Sequence, residues 1–393
     1  MKVYIKGFNS CLMRRQNIGQ YRDFLRACGH EIVADAKKSD IILIWTCAFR
    51  ADVCKNSLSQ IKYYQENYTG KRLVVAGCLP DIDAKALSSI FKGDVVNWCD
   101  DSVKMAEIFG PAPKNLADFS TIYIQPKLCE DSELFRRKNP GKDATFPDQF
   151  IKLVVAQGCN HHCSYCSERL VFPPYHSFPL KKLIEDCRAL VIKTGQTDVM
   201  LLADSVGEYG KDIGSSLPEL IRALKDIHPG MKIALNNLNL ADFIAYYGDM
   251  REFIKLGFFK HLNLPIQSVS PRILKLMKRE YSPDDIHKVF SLLNDLGFKD
   301  FDTHIIVGFP TETDSDFKET IDFVLKYRPR YVLLNRYFEV PMIPSASLPD
   351  KVPLSEVTRR MHEAEKRLSE AGILYSSDEL MKKRLIRVNR DEP

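Results

Sequence analysis

The densest chemistry in the chain is the run QGCNHHCSYCSERL, in which Cys159, Cys163 and Cys166 form a C-x3-C-x2-C array. Three thiolates in so tight a loop can hold three irons of a 4Fe-4S cluster, whose ligation ordinarily takes four cysteines. The missing fourth leaves one iron open, able to chelate a small ligand and pass it an electron. A structural zinc site is the plain alternative; it needs a fourth protein ligand, His161 or His162, and a closed tetrahedron. The array follows a predicted strand, and a barrel gathers its reactive groups at the C-terminal ends of its strands. Ligand count and position favour the open cluster, and His161 and His162 read as ordinary loop residues.

A second set of cysteines is dispersed. Cys11, Cys47 and Cys78 are 36 and 31 residues apart. Each follows a predicted strand: Cys11 comes after Lys2–Lys6 and a short extension, Cys47 after Ile41–Trp45, and Cys78 after Leu73–Ala76. All strand C-termini of a parallel sheet share one edge, where ligands bind, so the three thiols can converge on a second cluster. A lone cysteine is more often a small buried apolar residue. That reading is kept for Cys28, Cys54, Cys99, Cys129 and Cys187, which lack this placement.

The elements that must position these thiols follow from the apolar pattern. Residues 1–125 alternate strands, the last at Val95–Trp98, with helices at Arg15–Ala27 and Ala51–Glu66, which predicts a small parallel-sheet domain. Residues 126–148, containing RRKNPGKDATFPD, read as a linker. Residues 149–345 alternate more regularly, with strands at Ile151–Ala156, Asp198–Leu202, Lys232–Leu235, His261–Leu264, Phe301–Val307 and Tyr331–Leu334. Six βα repeats suit a partial (βα)6 barrel, although an open doubly wound sheet gives the same alternation. Residues 346–393 read as a helical extension through LSEVTRRMHEAEKRLSEAG. The expected fold class is therefore α/β: a small N-terminal parallel sheet, a partial TIM-type barrel and a short helical tail.

Bulk properties bound the function class. Apolar residues are 45% and charged residues 27% of the chain, as in a globular protein. The net charge of +5 permits an acidic partner without demanding one. The N-terminus shows no signal-peptide pattern and no apolar run reaches the length of a membrane span, so a cytoplasmic protein with no membrane partner is expected. Eleven cysteines in a reducing compartment point to metal or redox chemistry.

The cysteine array on a βα-repeat domain resembles the radical S-adenosylmethionine (SAM) superfamily, and further motifs resemble its methylthiotransferases. TCAFRADV around Thr46, Cys47 and Arg50 is similar to that family's T-C-x-x-R segment, and AGCLPD around Cys78 to its G-C-x-x-Q. HLNLPIQSVSPRILKLMKREYS and HIIVGFPTETDSDF resemble two further family runs, so the likeness covers about residues 1–350. The resemblance implies two 4Fe-4S clusters and SAM as cofactors, with SAM serving as both radical source and methyl donor. The cluster of Cys159, Cys163 and Cys166 would cleave SAM, and that of Cys11, Cys47 and Cys78 would carry the sulfur. It also implies a low-potential electron donor such as flavodoxin or ferredoxin. Tyr165 fits the family position against the SAM adenine, and Asp204, Asn236, Gln267, Arg279 and Gly308 are the further expected SAM contacts. Arg279 has a fork suited to the SAM carboxylate, and Gly308 lets backbone approach a ligand closely.

Departures from the family fall on the substrate side. Ser10-Cys11-Leu12-Met13-Arg14 replaces G-C-Q-M-N, Asp204 in LADSVGEYG stands at the position of a glutamine, and Asn236-Asn237 replace small hydroxyls and a histidine. Members commonly end in a β-barrel TRAM domain, whereas the residues after 345 read as helix. These departures suggest a peptide, protein side chain or small molecule as substrate, with a tRNA nucleoside as the alternative and RNA a possible partner. Two other classes fit the residues less well. A cobalamin enzyme would need a D-x-H-x-x-G site, and the only histidine before residue 145 is His30 in CGHEIV. A non-enzymatic iron–sulfur scaffold has no need of the intact C-x3-C-x2-C array.

Overall fold

A computed structural model describes residues 1–7, 12–49, 51–98, 101–114, 116, 119, 122–123, 150–171 and 174–377. Cys11, Arg50, Cys99, Cys129 and the whole of the expected linker lie outside the described residues. The chain forms two compact units, Met1–Tyr123 with Cys166–Tyr175, and Ile124–Tyr165 with His176–Pro393.

In the first unit, β1 (Lys2–Gly7), β2 (Glu31–Val33), β3 (Ile41–Thr46), β4 (Arg72–Gly77) and β5 (Asp94–Val95) form a sheet in the order β2-β1-β3-β4-β5. Every pairing is parallel. Strand β3, IILIWT, is buried along its whole length, as a parallel strand covered on both faces must be. Its residues Ile41, Leu43 and Trp45 pack with Tyr21, Phe24 and Leu25 of the helix Leu12–Ala27 and with Met105, Ile108 and Phe109 of the helix Asp101–Phe109. The strand order reverses direction between β1 and β3, and such a switch point opens a crevice at the strand C-termini. The strand expected at Val95–Trp98 is only Asp94–Val95, and Glu31–Val33 adds an edge strand. A two-residue strand, β6 (Ile122–Tyr123), follows.

The second unit carries β7 (Ile151–Val154), β8 (Ala156–Gln157), β9 (His176–Ser177), β10 (Val199–Leu202), β11 (Ile233–Leu235), β12 (Phe259–Asn263), β13 (Phe301–Val307), β14 (Tyr331–Arg336) and β15 (Leu374–Ser376). Its main sheet runs β7-β10-β11-β12-β13-β14-β15, and all these pairings are parallel. Neighbours in space are neighbours in chain order, with no reversal. This one-way winding is that of a partial barrel and settles the choice against a doubly wound sheet. Strands β8 and β9 form a separate antiparallel pair.

Helix starts in this unit are set by caps. Ser282 and Asp285 form a reciprocal capping box before the helix Pro283–Asp295, and Thr313 and Asp316 do so before Asp314–Tyr327. The C-terminal stretch is helical over Leu354–Glu370, as expected, and then returns as β15 beside β14. That helix is fastened to the barrel by a buried ion pair, Arg360 Nη1 to Glu312 Oε2 at 2.8 Å. The same Glu312 oxygen accepts the Gly308 N–H at 2.8 Å. Among the described residues no helix is long and apolar enough to cross a membrane.

Candidate active site

In the first unit, Cys47 and Cys78 come directly after paired strand ends. The β3–β4 register opposes Thr46 to Gly77, so the next residue on each strand is a cysteine. Both are almost fully buried, at 3% and 2% exposure. The backbone there is tied together without using the sulfurs. Cys78 N–H donates to Thr46 O at 3.1 Å, and Thr46 Oγ1 donates to Ala76 O at 2.6 Å. Cys47 N–H donates to Ser57 Oγ at 3.1 Å, and that hydroxyl donates to Cys47 O at 2.7 Å.

Gly77 makes the approach feasible. Its φ is +96°, and a Cβ there would lie 2.3 Å from Thr46 O. Gly77→Ala is therefore expected to cost about 2–3 kcal/mol or more in chemical denaturation, from backbone strain plus a clash with main chain that cannot swing away. A loss below about 0.5 kcal/mol would show that the two strand ends are not held by this contact.

The other described cysteines are of a different kind. Burial pushes the thiols of Cys54 and Cys187 up, to about 11 and about 12, with the charge of Asp83 adding to the effect at Cys54. Burial also raises Cys28, whose Sγ lies 3.3 Å from Gly110 O. Such thiols are poor sources of a metal-binding thiolate.

In the second unit the chain passes from β8 into the loop of Cys159 and Cys163; Cys166, the first residue of the segment that belongs to the first unit, leads into the turn Ser167–Leu170. Asp204 Oδ2 accepts the Gly158 N–H at 2.9 Å, and Glu208 Oε2 accepts that of Asn160 at 3.0 Å. Ser164 donates from its backbone N–H to Met277 O at 3.0 Å and from Oγ to Leu276 O at 2.7 Å. Asp204, expected as a SAM contact, is thus spent at least partly on the loop backbone.

His161 is more than a loop residue. Its Nε2 lies 3.0 Å from Asp242 Oδ2, its Nδ1 lies 3.6 Å from Glu280 Oε2, and Lys211 Nζ reaches Asp242 Oδ1 at 2.7 Å. Burial works against the imidazolium, but the hydrogen bond and charge of Asp242, with the charge of Glu208, hold the His161 pKa above its ordinary value. Burial likewise opposes the Asp242 carboxylate, yet the hydrogen bonds from His161 and Lys211 leave its pKa lowered. Both His161 nitrogens face carboxylates, which argues against His161 as a zinc ligand. Among the described residues no three His, Cys, Asp or Glu side chains gather tightly enough to share one metal ion. The cysteines of a 4Fe-4S cluster each hold a different iron, so their sulfurs stand further apart than the ligands of one ion.

Arg279 sits just past the helix Pro271–Leu276, and its Nη1 lies 3.3 Å from Cys163 Sγ and 3.2 Å from Tyr165 Oη. Tyr165 packs against Ile273, Met277, Ile306 and Phe309. Gln267 holds a left-handed φ of 68°, with its N–H on His304 O at 2.8 Å and its carbonyl accepting from Ile306 N–H at 3.1 Å. Asn236 donates its backbone N–H to Leu201 O at 3.2 Å. Gly308 has φ +80°, but a Cβ there would meet Val357 at 2.4 Å. The glycine thus admits the C-terminal helix, a packing reason that the sequence reading did not contain.

Among the buried side-chain oxygens that lack a hydrogen-bond partner in the described residues are Ser205 Oγ, Gln267 Oε1 and Asn335 Oδ1. They stand beyond the C-terminal ends of β10 and β12 and at that of β14. Unpaired buried oxygens are costly, and this set suits a ligand rich in hydroxyl and amino groups, as SAM is.

Behind them His304 is fixed as a neutral ring. Asn237 N–H donates to Asn263 Oδ1 at 3.2 Å, which turns Asn263 Nδ2 toward His304 Nε2 at 3.0 Å. That nitrogen must therefore accept. Burial pushes the His304 pKa down to about 4, with Asp302 opposing and Arg279 adding. A folded pKa below the unfolded one makes the unfolded chain the better proton binder, so stability is present above pH 6.5 and lost as pH falls toward 4. From this group alone, denaturation should show a loss of about 2 kcal/mol between about pH 7 and about pH 5. His304→Asn should lack that part of the slope; an unchanged slope would mean that the ring is not held neutral.

The comparisons with known proteins agree with this architecture. The profile of the Radical SAM superfamily matches residues 153–324, and that of Uncharacterized protein family UPF0004 matches residues 2–97. The probable threonylcarbamoyladenosine tRNA methylthiotransferase of Methanocaldococcus jannaschii is 30% identical over 345 residues, covering 84% of this chain and 74% of that protein. The ribosomal protein uS12 methylthiotransferase RimO of Trichlorobacter lovleyi is 29% identical over 349 residues, covering 85% and 74%. Among solved structures, the radical SAM methyltransferase TsrM of Kitasatospora setae, with cobalamin and a 4Fe-4S cluster bound, aligns with a TM-score of 0.61 at 11% identity. The alignment covers 88% of this chain and 77% of that one, a likeness of fold.

Proposed function

The chain belongs to the radical SAM methylthiotransferase family, and we propose that it places a methylthio group on an unactivated carbon of a tRNA nucleoside. It is an enzyme whose cofactors are SAM and two 4Fe-4S clusters. When bound, these groups supply an electron that cleaves SAM and a sulfur that can be transferred.

Cys159, Cys163 and Cys166 would hold the cluster that faces SAM, and Cys11, Cys47 and Cys78 the other. Asp204, Glu208 and Ser164 fix the backbone of the first set from the barrel side. Tyr165 offers an aromatic face for the adenine, while Ser205, Gln267 and Asn335 offer buried oxygens to polar groups. The observation that carries the reading is the C-x3-C-x2-C loop held at the C-terminal ends of a parallel barrel sheet, in a chain with methylthiotransferase relatives over most of its length. A reducing cytoplasm suits such a protein; no disulfide joins the described cysteines.

Of the departures on the substrate side, Asp204 serves the loop backbone, as its neighbour Glu208 does. Asp204 therefore gives no ground for leaving the tRNA nucleoside named for the archaeal relative. A protein side chain is the second reading, favoured by the uS12-modifying relative at nearly equal identity. Mass spectrometry of tRNA nucleosides, ribosomal-protein digests and small-molecule extracts, from cells with and without the protein, separates them. The expected result is a CH2S gain on one tRNA nucleoside. A gain on a protein side chain selects the second reading, and a gain only on a free peptide or metabolite defeats both.

A further inference from the structure

We infer that Arg279 is a positioning residue for the SAM-facing cluster, acting through a hydrogen bond to the sulfur of Cys163 rather than by gripping the carboxylate of SAM. The inference rests on the reading of Cys163 as a cluster ligand.

The donor inventory carries it. A guanidinium has five N–H groups. In Arg279, Nε donates to Tyr281 Oη at 2.6 Å. Nη1 donates to Cys163 Sγ at 3.3 Å and to Tyr165 Oη at 3.2 Å. Nη2 donates to Pro265 O at 2.8 Å. One N–H remains, whereas a forked grip on a carboxylate takes two. The guanidinium also lies 4.9 Å from the centre of the Tyr281 ring, whose hydroxyl is anchored on Ile266 O at 3.0 Å. The charge is thereby braced from several sides and aimed at the cysteine sulfur.

Such a contact has a defined consequence. Hydrogen bonds to ligand sulfurs help to set the potential of an iron–sulfur cluster. A fixed cation beside the sulfur favours the reduced, more negative state by simple Coulomb attraction. By holding Cys163 and Tyr165 with one nitrogen, Arg279 also fixes the spacing between a ligand and the ring expected against the adenine.

The test uses the full-length reconstituted protein and its Arg279→Gln and Arg279→Lys variants. The redox titration follows the electron-paramagnetic signal that SAM perturbs. Arg279→Gln should lower the midpoint potential and slow SAM cleavage about tenfold, as loss of one charged hydrogen bond implies, with KM for SAM unchanged; Arg279→Lys should fall between. An unchanged midpoint with a raised KM for SAM would overturn the inference in favour of the carboxylate grip. Should the glutamine variant not fold, pulsed paramagnetic resonance on wild-type protein made with isotope-labelled arginine decides: coupling of a labelled nitrogen to the reduced cluster supports the contact, and its absence overturns it. Failure of the underlying reading is separately visible, because Cys163→Ala would then keep the iron of both clusters.

Discussion

Replacing Cys159, Cys163 and Cys166 together by Ala is expected to leave a folded protein with about four irons per chain instead of about eight, the loss of one four-iron cluster. Production of 5′-deoxyadenosine from SAM and dithionite should fall to background in the same variant. Folding should survive because the loop is held by groups other than sulfur: Asp204 on Gly158, Glu208 on Asn160 and Ser164 on two carbonyls of the 276–277 turn. His161 adds its contact with Asp242. Iron analysis, visible absorption and chromatography of the nucleoside product check the three parts. A wild-type protein that reconstitutes with zinc and almost no iron would defeat the reading at its root, and so would a triple variant that still cleaves SAM.

Much of this site was legible because the residues that carry it are local or periodic. The C-x3-C-x2-C array lies within eight residues, and strands such as Phe301–Val307 announce themselves by β-branched, apolar runs. Cys47 and Cys78 could be paired in advance because parallel strands put their C-termini on one edge. What escaped were short elements and long-range contacts. Glu31–Val33 is three residues, Glu31 exposed and Ile32 and Val33 half-buried, too short to stand out. The partners of Arg279 include Tyr165 and Cys163, 114 and 116 positions away, and those of His161 include Asp242, 81 positions away. No periodicity encodes such meetings. A faint signal existed in the acids Asp204 and Glu208 of LADSVGEYG, because two carboxylates beside a turn must find donors. Gly308 has a packing role that no local pattern announces: Val357 of the C-terminal helix fills the space a side chain would need.

Changing Cys11, Cys47 and Cys78 to Ala is expected to abolish the sulfur-containing product while 5′-deoxyadenosine still forms. On the proposed assignment the two jobs are separable: SAM cleavage would need only the loop of Cys159, and the sulfur would come from the other cluster. For Cys47 and Cys78 the structure makes the variant a fair test. Their backbone is secured by Thr46, Ser57 and Ala76 through main-chain and hydroxyl groups, so Ala removes the thiols and leaves that clamp in place. Cys11 lies outside the described residues, and its inclusion rests on its place in the chain between β1 and the helix starting at Leu12. With the proposed tRNA as substrate, the readout is a methylthiolated nucleoside against 5′-deoxyadenosine in the same reaction. A variant with about four irons, normal SAM cleavage and no thiolated product assigns the trio to sulfur delivery. If it makes that product at the normal rate, the buried cysteines are merely small core residues of the first sheet, and the sulfur reaches the substrate by another route.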